Sequence, residues 1–341
     1  MWNLSDEALL AGLGSGDRDA AAVFVRRFQR RDGGSQGGGM ELGVGLPISG
    51  SVASPEAIGR VAEQAERIGL ATVWTFERLL RPTEPIPLGG AGGPVMMPPA
   101  MWATVYDALE TLAYVAARTS RIRLGTCVLD TLFHSPVVLA RRLATLDRLS
   151  GGRLLVGLGQ GWMAQEFTAA GVPLARRGAG FQEHIEAMRA IWGPDPVRFQ
   201  GRFYQVPESE IGPKPVRAGG PPLLLGASAP SAVERAARMG LGLAVVMFSF
   251  ELLRDAVALF RGAAKAAGHD PSTLPVVVQV NGPVAAEPLD ERAPLTGSVE
   301  QVAEDLVQLR SLGVDQVFWS ILETDPDQQL HGIELLAREA R

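Results

Sequence analysis

Apolar residues in the middle of the chain change from the spacing of a helix to that of a strand. Leu139, Leu143 and Leu146 recur at helical intervals until a Gly-Gly pair interrupts them. The segment Arg153–Leu158 that follows is nearly all apolar. A strand that is apolar on both faces is typical of a parallel sheet covered by helices. The stretch therefore predicts one helix-to-strand step of an α/β protein.

The same alternation runs from Met40 to the end of the chain. Strand patterns occupy residues 41–48, 71–77, 122–129, 153–158, 223–227, 243–247, 276–280 and 316–321. Helix patterns occupy residues 55–68, 106–118, 139–149, 174–192, 231–239, 251–267, 299–312 and 326–340. Eight strands alternating with eight helices predict an α/β fold of the (β/α)8 TIM barrel type with insertion segments. An open, doubly wound sheet is the alternative architecture.

Two segments interrupt this alternation. Residues 81–100 form a long stretch rich in Pro and Gly, and loops of this length are usually lids or binding loops. Residues 193–220 form an insertion in which 197–204 predicts a small β-hairpin, with its turn at Gln200-Gly201.

The first 39 residues differ in pattern from the rest. Residues 5–31 predict one amphipathic helix, and the glycine-rich tract 33–39 predicts a flexible linker. The short motifs of residues 6–10, 16–18 and 24–31 resemble the start of region 2 of extracytoplasmic-function sigma factors. The similarity ends by residue 32, far short of a promoter-binding unit. We therefore predict a helical extension with a linker at 1–39 and one barrel domain at 40–341.

Composition and charge narrow the classes of function. The 341 residues are 46% hydrophobic and 20% charged, which suits a large folded core. A net charge of −5 argues against nucleic-acid binding through a basic surface. Cys127 is the single cysteine, and no apolar run approaches the ~20 residues of a membrane helix. We expect a cytoplasmic protein that binds neither nucleic acid nor membranes.

Residues at the ends of the predicted strands favour an organic cofactor. The four histidines are scattered, and no metal-binding motif or serine-nucleophile elbow is present, so no metal site is predicted. The glycine-rich strand exit at 157–161 exposes backbone N–H groups, although a plain tight turn would have the same sequence. Gly226-Ala227-Ser228 lies just before a helix that starts near Pro230, and a helix N-terminus favours anions. Chemistry without a protein nucleophile or metal is typical of enzymes that rely on a bound coenzyme.

Several motifs in a fixed order then identify a family resemblance. They are residues 65–74, 121–126, 134–136, 144–153, 157–162, 213–216, 266–271 and 297–306. Together they resemble the luciferase-like flavin and deazaflavin oxidoreductases, over essentially the whole of 40–341. The resemblance implies a TIM barrel, a homodimer and an oxidoreductase that uses coenzyme F420 or, as the alternative, FMN. A non-catalytic, ligand-sensing barrel is a further alternative.

The resemblance places Glu77 and Arg78 where deazaflavin-dependent members carry an Asp-His pair beside the coenzyme. Because arginine side chains stay protonated, Arg78 cannot replace histidine as an acid or base. We expect Arg78 to hold the anionic deazaflavin ring or an acidic substrate, with Glu77 orienting it. An ordinary surface Glu-Arg pair is the alternative interpretation.

The resemblance also implies residues that bind the coenzyme. The coenzyme ring is expected on a bulge at Cys127 and Val128, where the family can hold a non-proline cis peptide. The other expected coenzyme contacts are Gly159, Gly161, Gln165, Gly226, Ala227, Ser228, Val246 and Met247. The substrate is expected against Trp74, Phe76, Trp102 and Trp162, for which ordinary core packing is the alternative. The predicted reaction is hydride transfer between the deazaflavin and a small organic molecule.

Overall fold

Eight parallel strands close into a barrel in the computed structural model, which describes residues 40–88, 92–322 and 324–338. The barrel strands are β1 (Glu41–Gly45), β2 (Thr72–Thr75), β5 (Arg123–Asp130), β6 (Leu154–Gly159), β9 (Leu223–Gly226), β10 (Gly242–Val246), β11 (Val276–Val280) and β12 (Gln316–Trp319). Their order around the barrel is β1-β12-β11-β10-β9-β6-β5-β2. The TIM barrel prediction is confirmed and the open sheet is excluded, because the last strand pairs with the first. The helix predicted at 5–31 lies outside the described residues.

A helix follows each barrel strand, as the alternation predicts. The helices are α1 (Pro55–Ile68), α2 (Ala108–Arg118), α3 (Pro136–Leu149), α4 (Ala164–Ala169), α5 (Ala179–Ile191), α6 (Pro230–Arg238), α7 (Phe250–Ala266), α8 (Val299–Ser311) and α9 (Pro326–Arg338). Local capping explains several of their starts. Asp107 accepts hydrogen bonds from the backbone N–H groups of Leu109 and Glu110 at the start of α2. Ser298 and Gln301 form a reciprocal capping box at the start of α8.

The structure differs from the predicted elements in the insertions. The loop 81–100 contains a small antiparallel pair, β3 (Ile86–Pro87) and β4 (Val95–Met96). The six-residue helix α4 is absent from the predicted elements. The helix predicted to begin at residue 174 instead begins at Ala179, because Gly178 before it has a φ of 78° that breaks a right-handed helix.

The predicted hairpin is present, but its second strand starts later than expected. It pairs β7 (Val197–Gln200) with β8 (Gln205–Ser209), so residues 201–204 form the turn. The carboxylate of Glu183 on α5 accepts hydrogen bonds from the backbone N–H groups of Arg202, Phe203 and Tyr204. These bonds occupy the donors that a longer strand would need.

The described residues pack into two compact units. The first comprises the described residues up to Pro47, Arg60–Trp74 and those from Ala227 onward; the second comprises Ile48–Gly59 and Thr75–Gly226. The first unit holds β1, β10, β11 and β12, and the second holds β5, β6 and β9. Among the described helices, none combines the length and apolarity needed to cross a lipid bilayer.

Candidate active site

Glu77 joins the end of β2 to the end of β5. Its backbone N–H donates to the carbonyl oxygen of Val128 at 3.0 Å. Its side chain, which is 8% exposed, accepts from the backbone N–H of Asp130 at 2.7 Å and from His134 Nε2 at 2.8 Å. Both carboxylate oxygens of Glu77 are thus engaged, one by Asp130, the last residue of β5, and the other by His134.

Glu166 on α4 is the residue that holds Arg78. The guanidinium of Arg78 donates from one terminal nitrogen to Glu166 Oε2 at 2.7 Å. Glu166 Oε1 accepts from the backbone N–H of Leu79 at 2.8 Å, and the Glu166 side chain is completely buried. Burial raises the pKa of the Glu166 carboxyl, and the Arg78 guanidinium opposes that shift. Sequence reasoning missed Glu166, because its partner Arg78 lies 88 residues away in the chain.

Two tryptophans contact the guanidinium of Arg78. Its central carbon lies 4.5 Å from the ring centroid of Trp102 and 5.4 Å from that of Trp162. The two rings meet edge to face, with centroids 6.1 Å apart. The structure thus brings together three predicted site residues, from the segment after β2, the turn that follows the long loop and the segment after β6. The attraction between a guanidinium and an indole ring is stronger where both are shielded from water.

The Nε atom of Arg78 is buried and has no hydrogen-bond partner among the described residues. A buried N–H group without an acceptor is costly, so the position favours an acceptor that is supplied by a ligand. Because the guanidinium is positively charged, an anionic oxygen is the strongest acceptor for it.

Asp130 is a further acidic residue of this cluster and was not a predicted site residue. It ends β5 and is 5% exposed. Burial raises the pKa of its carboxyl to about 7; the Arg78 guanidinium opposes the shift, whereas the carboxylates of Glu166 and Glu77 add to it. Asp130 can therefore gain or lose a proton near neutral pH.

Cys127 and Val128 form a bulge in β5, as the family resemblance implies. The register with β6 shifts between Thr126 and Leu129, and the Cys127–Val128 peptide bond is cis. Both residues are partly exposed, although the sulfur of Cys127 is buried. Burial raises the pKa of the Cys127 thiol to about 12, so the thiolate form is scarce at neutral pH.

The side chain of Val128 explains why β6 and β9 end in glycine. A Cβ atom at Gly159 would lie 2.5 Å from one methyl group of Val128, and a Cβ at Gly226 would lie 2.7 Å from the other. Both glycines therefore make room for a side chain of β5. This packing alone explains the two glycines. No contact between a ligand and their backbone N–H groups is needed to account for them.

Two other predicted coenzyme contacts in this unit differ in their surroundings. Gly161 is buried against the rings of Phe133 and Phe167. Gln165 is exposed at the start of α4. The neighbouring amide side chain of Gln160 instead accepts from the backbone N–H of Gly178 at 2.7 Å.

The remaining predicted coenzyme contacts lie in the first unit. Ala227 is buried and Ser228 is exposed immediately before α6, whose first residue is Pro230. No side chain caps this helix, so its N-terminal end keeps the polarity that attracts anions. At the end of β10, Val246 is half-buried and Met247 is buried.

Of the predicted substrate contacts, Trp74 packs in the core and Phe76 is half-buried. Trp74 is 1% exposed and stacks on Phe318 with ring centroids 4.7 Å apart. This arrangement agrees with the packing alternative for Trp74. Among the described residues, no cluster of three or more His, Cys, Asp or Glu side chains is arranged to hold a metal ion.

Comparison with known proteins identifies the family. The sequence profile of the luciferase-like monooxygenases matches residues 23–294. The chain belongs to the luciferase-like monooxygenase family. An uncharacterised member from Mycobacterium tuberculosis is 30% identical over 298 residues, which span 87% of this chain and 98% of the relative.

Characterised relatives in the family divide between two coenzymes. The F420-dependent glucose-6-phosphate dehydrogenase of Amycolatopsis mediterranei is 29% identical over 313 residues, 86% of this chain and 88% of the relative. The FMNH2-dependent dimethylsulfone monooxygenase of Pseudomonas putida is 31% identical over 180 residues, 52% of this chain and 48% of the relative. This luciferase-like protein is therefore an oxidoreductase.

Solved structures of the family share the fold. The monooxygenase RslO1 from Streptomyces bottropensis superposes with a TM-score of 0.74 at 24% identity, covering 88% of this chain and 98% of that one. At this level of identity the likeness supports the barrel and carries no argument about substrate.

Proposed function

We propose that this luciferase-like protein transfers hydride between coenzyme F420 and a small organic substrate. The observation that carries the proposal is the buried guanidinium of Arg78, held by Glu166 and left with an unpartnered Nε. The deazaflavin ring of F420 bears an acidic hydroxyl group, whereas the ring of FMN bears none. A fixed cation with a free donor therefore favours the deazaflavin.

The residues present fit such a coenzyme. When bound, F420 supplies a ring that accepts or donates hydride. Arg78 would hold its anionic oxygen through Nε, and Trp102 and Trp162 would shield that contact from water. Glu166 fixes the direction of the guanidinium, so little conformational freedom is lost on binding. The Cys127 thiol would be a small, uncharged contact for the coenzyme ring, because burial raises its pKa to about 12.

Other contacts in the proposal come from sequence patterns. We assign the anionic tail of the coenzyme to Gly226, Ala227 and Ser228, where small residues precede the start of α6. We assign substrate contacts to Phe76, Trp102 and Trp162, which are all partly exposed. The homodimer expected from the family is part of the proposal, and light scattering of the purified protein tests it.

The coenzyme test compares two ligands and two variants. Purified protein is titrated separately with F420 and with FMN, and fluorescence quenching gives each Kd. Arg78→Met keeps an apolar side chain of similar length and removes the charge. Since a hydrogen bond to a charged group contributes about 1.5–3 kcal/mol, the Kd for F420 should rise about 10- to 100-fold.

Arg198→Ala is the matched control, because Arg198 is an exposed arginine of β7 outside the acidic cluster. It should leave the Kd for F420 unchanged. Tight FMN binding without F420 binding would overturn the proposal and favour an FMN-dependent monooxygenase, as in the relative from Pseudomonas putida.

A further inference from the structure

Three buried carboxyl groups, those of Glu77, Asp130 and Glu166, belong to one cluster with the guanidinium of Arg78. Glu166 on α4 pairs directly with it at 2.7 Å. Glu77 and Asp130 lie at the ends of β2 and β5 and are joined by the hydrogen bond from the Asp130 N–H to Glu77 Oε2. The fourth neighbour is His134, which donates to Glu77 from the segment after β5. The guanidinium of Arg78 thus offsets part of the charge of both Glu166 and Asp130.

The three carboxyl groups are not equally supported. Glu77 receives hydrogen bonds from His134 and from a backbone N–H. Glu166 receives them from Arg78 and from the Leu79 N–H. For Asp130 the hydrogen bond that favours its charged form comes from the backbone of Gly161, and one of its carboxyl oxygens lies 3.0 Å from the place where a Cβ of Gly159 would be. Asp130 is therefore the acid with the fewest fixed donors in the cluster.

Binding of an anion changes this balance. An anionic oxygen on the Nε of Arg78 uses part of the positive charge that keeps Asp130 ionised. Less positive charge would then offset the negative charges of Asp130, Glu77 and Glu166, in a site from which water is largely excluded. In such surroundings the neutral form of a carboxyl group is favoured.

We propose that Asp130 takes up one proton from solvent when an anionic ligand binds to Arg78. The proton bonds to a carboxyl oxygen of Asp130, the buffer supplies it, and no electrons are transferred. The identity of the anion, the ionised ring of the coenzyme, rests on the proposed function. Asp130 is thereby a positioning residue that acts on the ligand through Arg78.

The direction of the pH dependence follows from the balance of charge. In the free protein the pKa of Asp130 is about 7, with burial as the main cause. Below this pH the proton is already present and binding needs no uptake. Above it each binding event must include a proton, so the Kd for the ligand should rise about tenfold per pH unit.

The test measures the Kd for F420 by fluorescence between pH 6.5 and 8.5 for the wild type and for Asp130→Asn. The wild-type Kd should rise with pH, and the variant should bind at every pH as tightly as the protonated wild type. Because the ionisation of the coenzyme affects both proteins alike, the difference between the profiles reports Asp130. Asp147→Asn is the control, since Asp147 is a buried acid of α3 that accepts from Val216 N–H outside this cluster. It should retain the wild-type profile, and equal slopes in the wild type and Asp130→Asn would overturn the proposal.

A measurement without ligand separates this proposal from the proposed function. The folded wild type holds a proton on Asp130 up to about pH 7, whereas an unfolded carboxyl loses it near pH 4. Wild-type stability should therefore fall across this window as pH rises, and the asparagine variant should gain Tm relative to the wild type. If F420 does not bind but this gain appears, the coenzyme assignment fails and the titration of Asp130 stands. A constant Tm difference would overturn the role of Asp130 whatever the coenzyme.

Discussion

At the scale of single residues, the chemistry of the site depends on how one cation is held. Arg78 contacts Glu166, Trp102 and Trp162, so its position is set by a helix, a loop and a strand exit. A buried ion pair adds little stability compared with apolar packing, but removing one member leaves the other charge uncompensated. Glu166 should therefore be as important to the site as Arg78.

Glu166→Gln tests this dependence. The free energy of unfolding should fall by about 3 kcal/mol, because the guanidinium remains buried without its counter-charge. Urea denaturation measures the change. In the double variant with Arg78→Met the loss should be at least about 1 kcal/mol smaller than the sum of the two single losses. Additive losses would show that the pair is not coupled.

The sequence could predict some residues of the site and not others. Arg78, Trp102 and Trp162 were all expected at the site, and the structure brings these three side chains into contact. Glu166 and Asp130 were missed because their importance arises from burial next to partners 88 and 53 residues away in the chain. Spacing along a sequence carries no information on such contacts. Trp74 is the opposite case: it was expected to contact the substrate, and its ring stacks on Phe318 in the core.

At the scale of elements, β5 and β6 are adapted to each other at the bulge. Val128 occupies the space that a side chain at Gly159 would need. The period of apolar residues locates both strands, and their observed bounds differ from the prediction by a residue or so at each end. The pattern cannot show α4, because six residues are too few for a helical period to be recognised.

Gly159→Ala should lower the free energy of unfolding by about 1–3 kcal/mol through overpacking against Val128. Thermal or urea unfolding measures the loss. Adding Val128→Ala frees the space for the new methyl group, so the double variant should be less destabilised than the sum of the single changes. If Gly159→Ala alone has no effect, the close contact between β5 and β6 is not a constraint on this position.

At the scale of the whole molecule, the alternation of strands and helices was sufficient to predict the closed barrel. The (β/α)8 fold tolerates variation at its loops, and the prediction failed where loops add structure. The pair β3–β4 was not predicted, and the start of β8 was placed too early. The three hydrogen bonds that the turn before β8 donates to Glu183 depend on a contact that a local pattern does not encode.

Deleting residues 5–39 tests whether the N-terminal extension contributes to function. The glycine-rich tract at 33–39 is typical of a linker, so the barrel should keep its affinity for coenzyme and its Tm. Titration and thermal unfolding of the shortened protein are the measurements. A large loss of coenzyme affinity at unchanged Tm would favour a regulatory role for the extension.

The carboxylate of Glu166 binds two groups at once, and this links the positions of those groups. One oxygen of this carboxylate holds the guanidinium, and the other holds the amide of Leu79, at the root of the long loop 81–100. The cation and the start of the loop are therefore tied to the same carboxylate. A ligand that displaces the guanidinium would therefore also disturb the Leu79 hydrogen bond at the start of the loop.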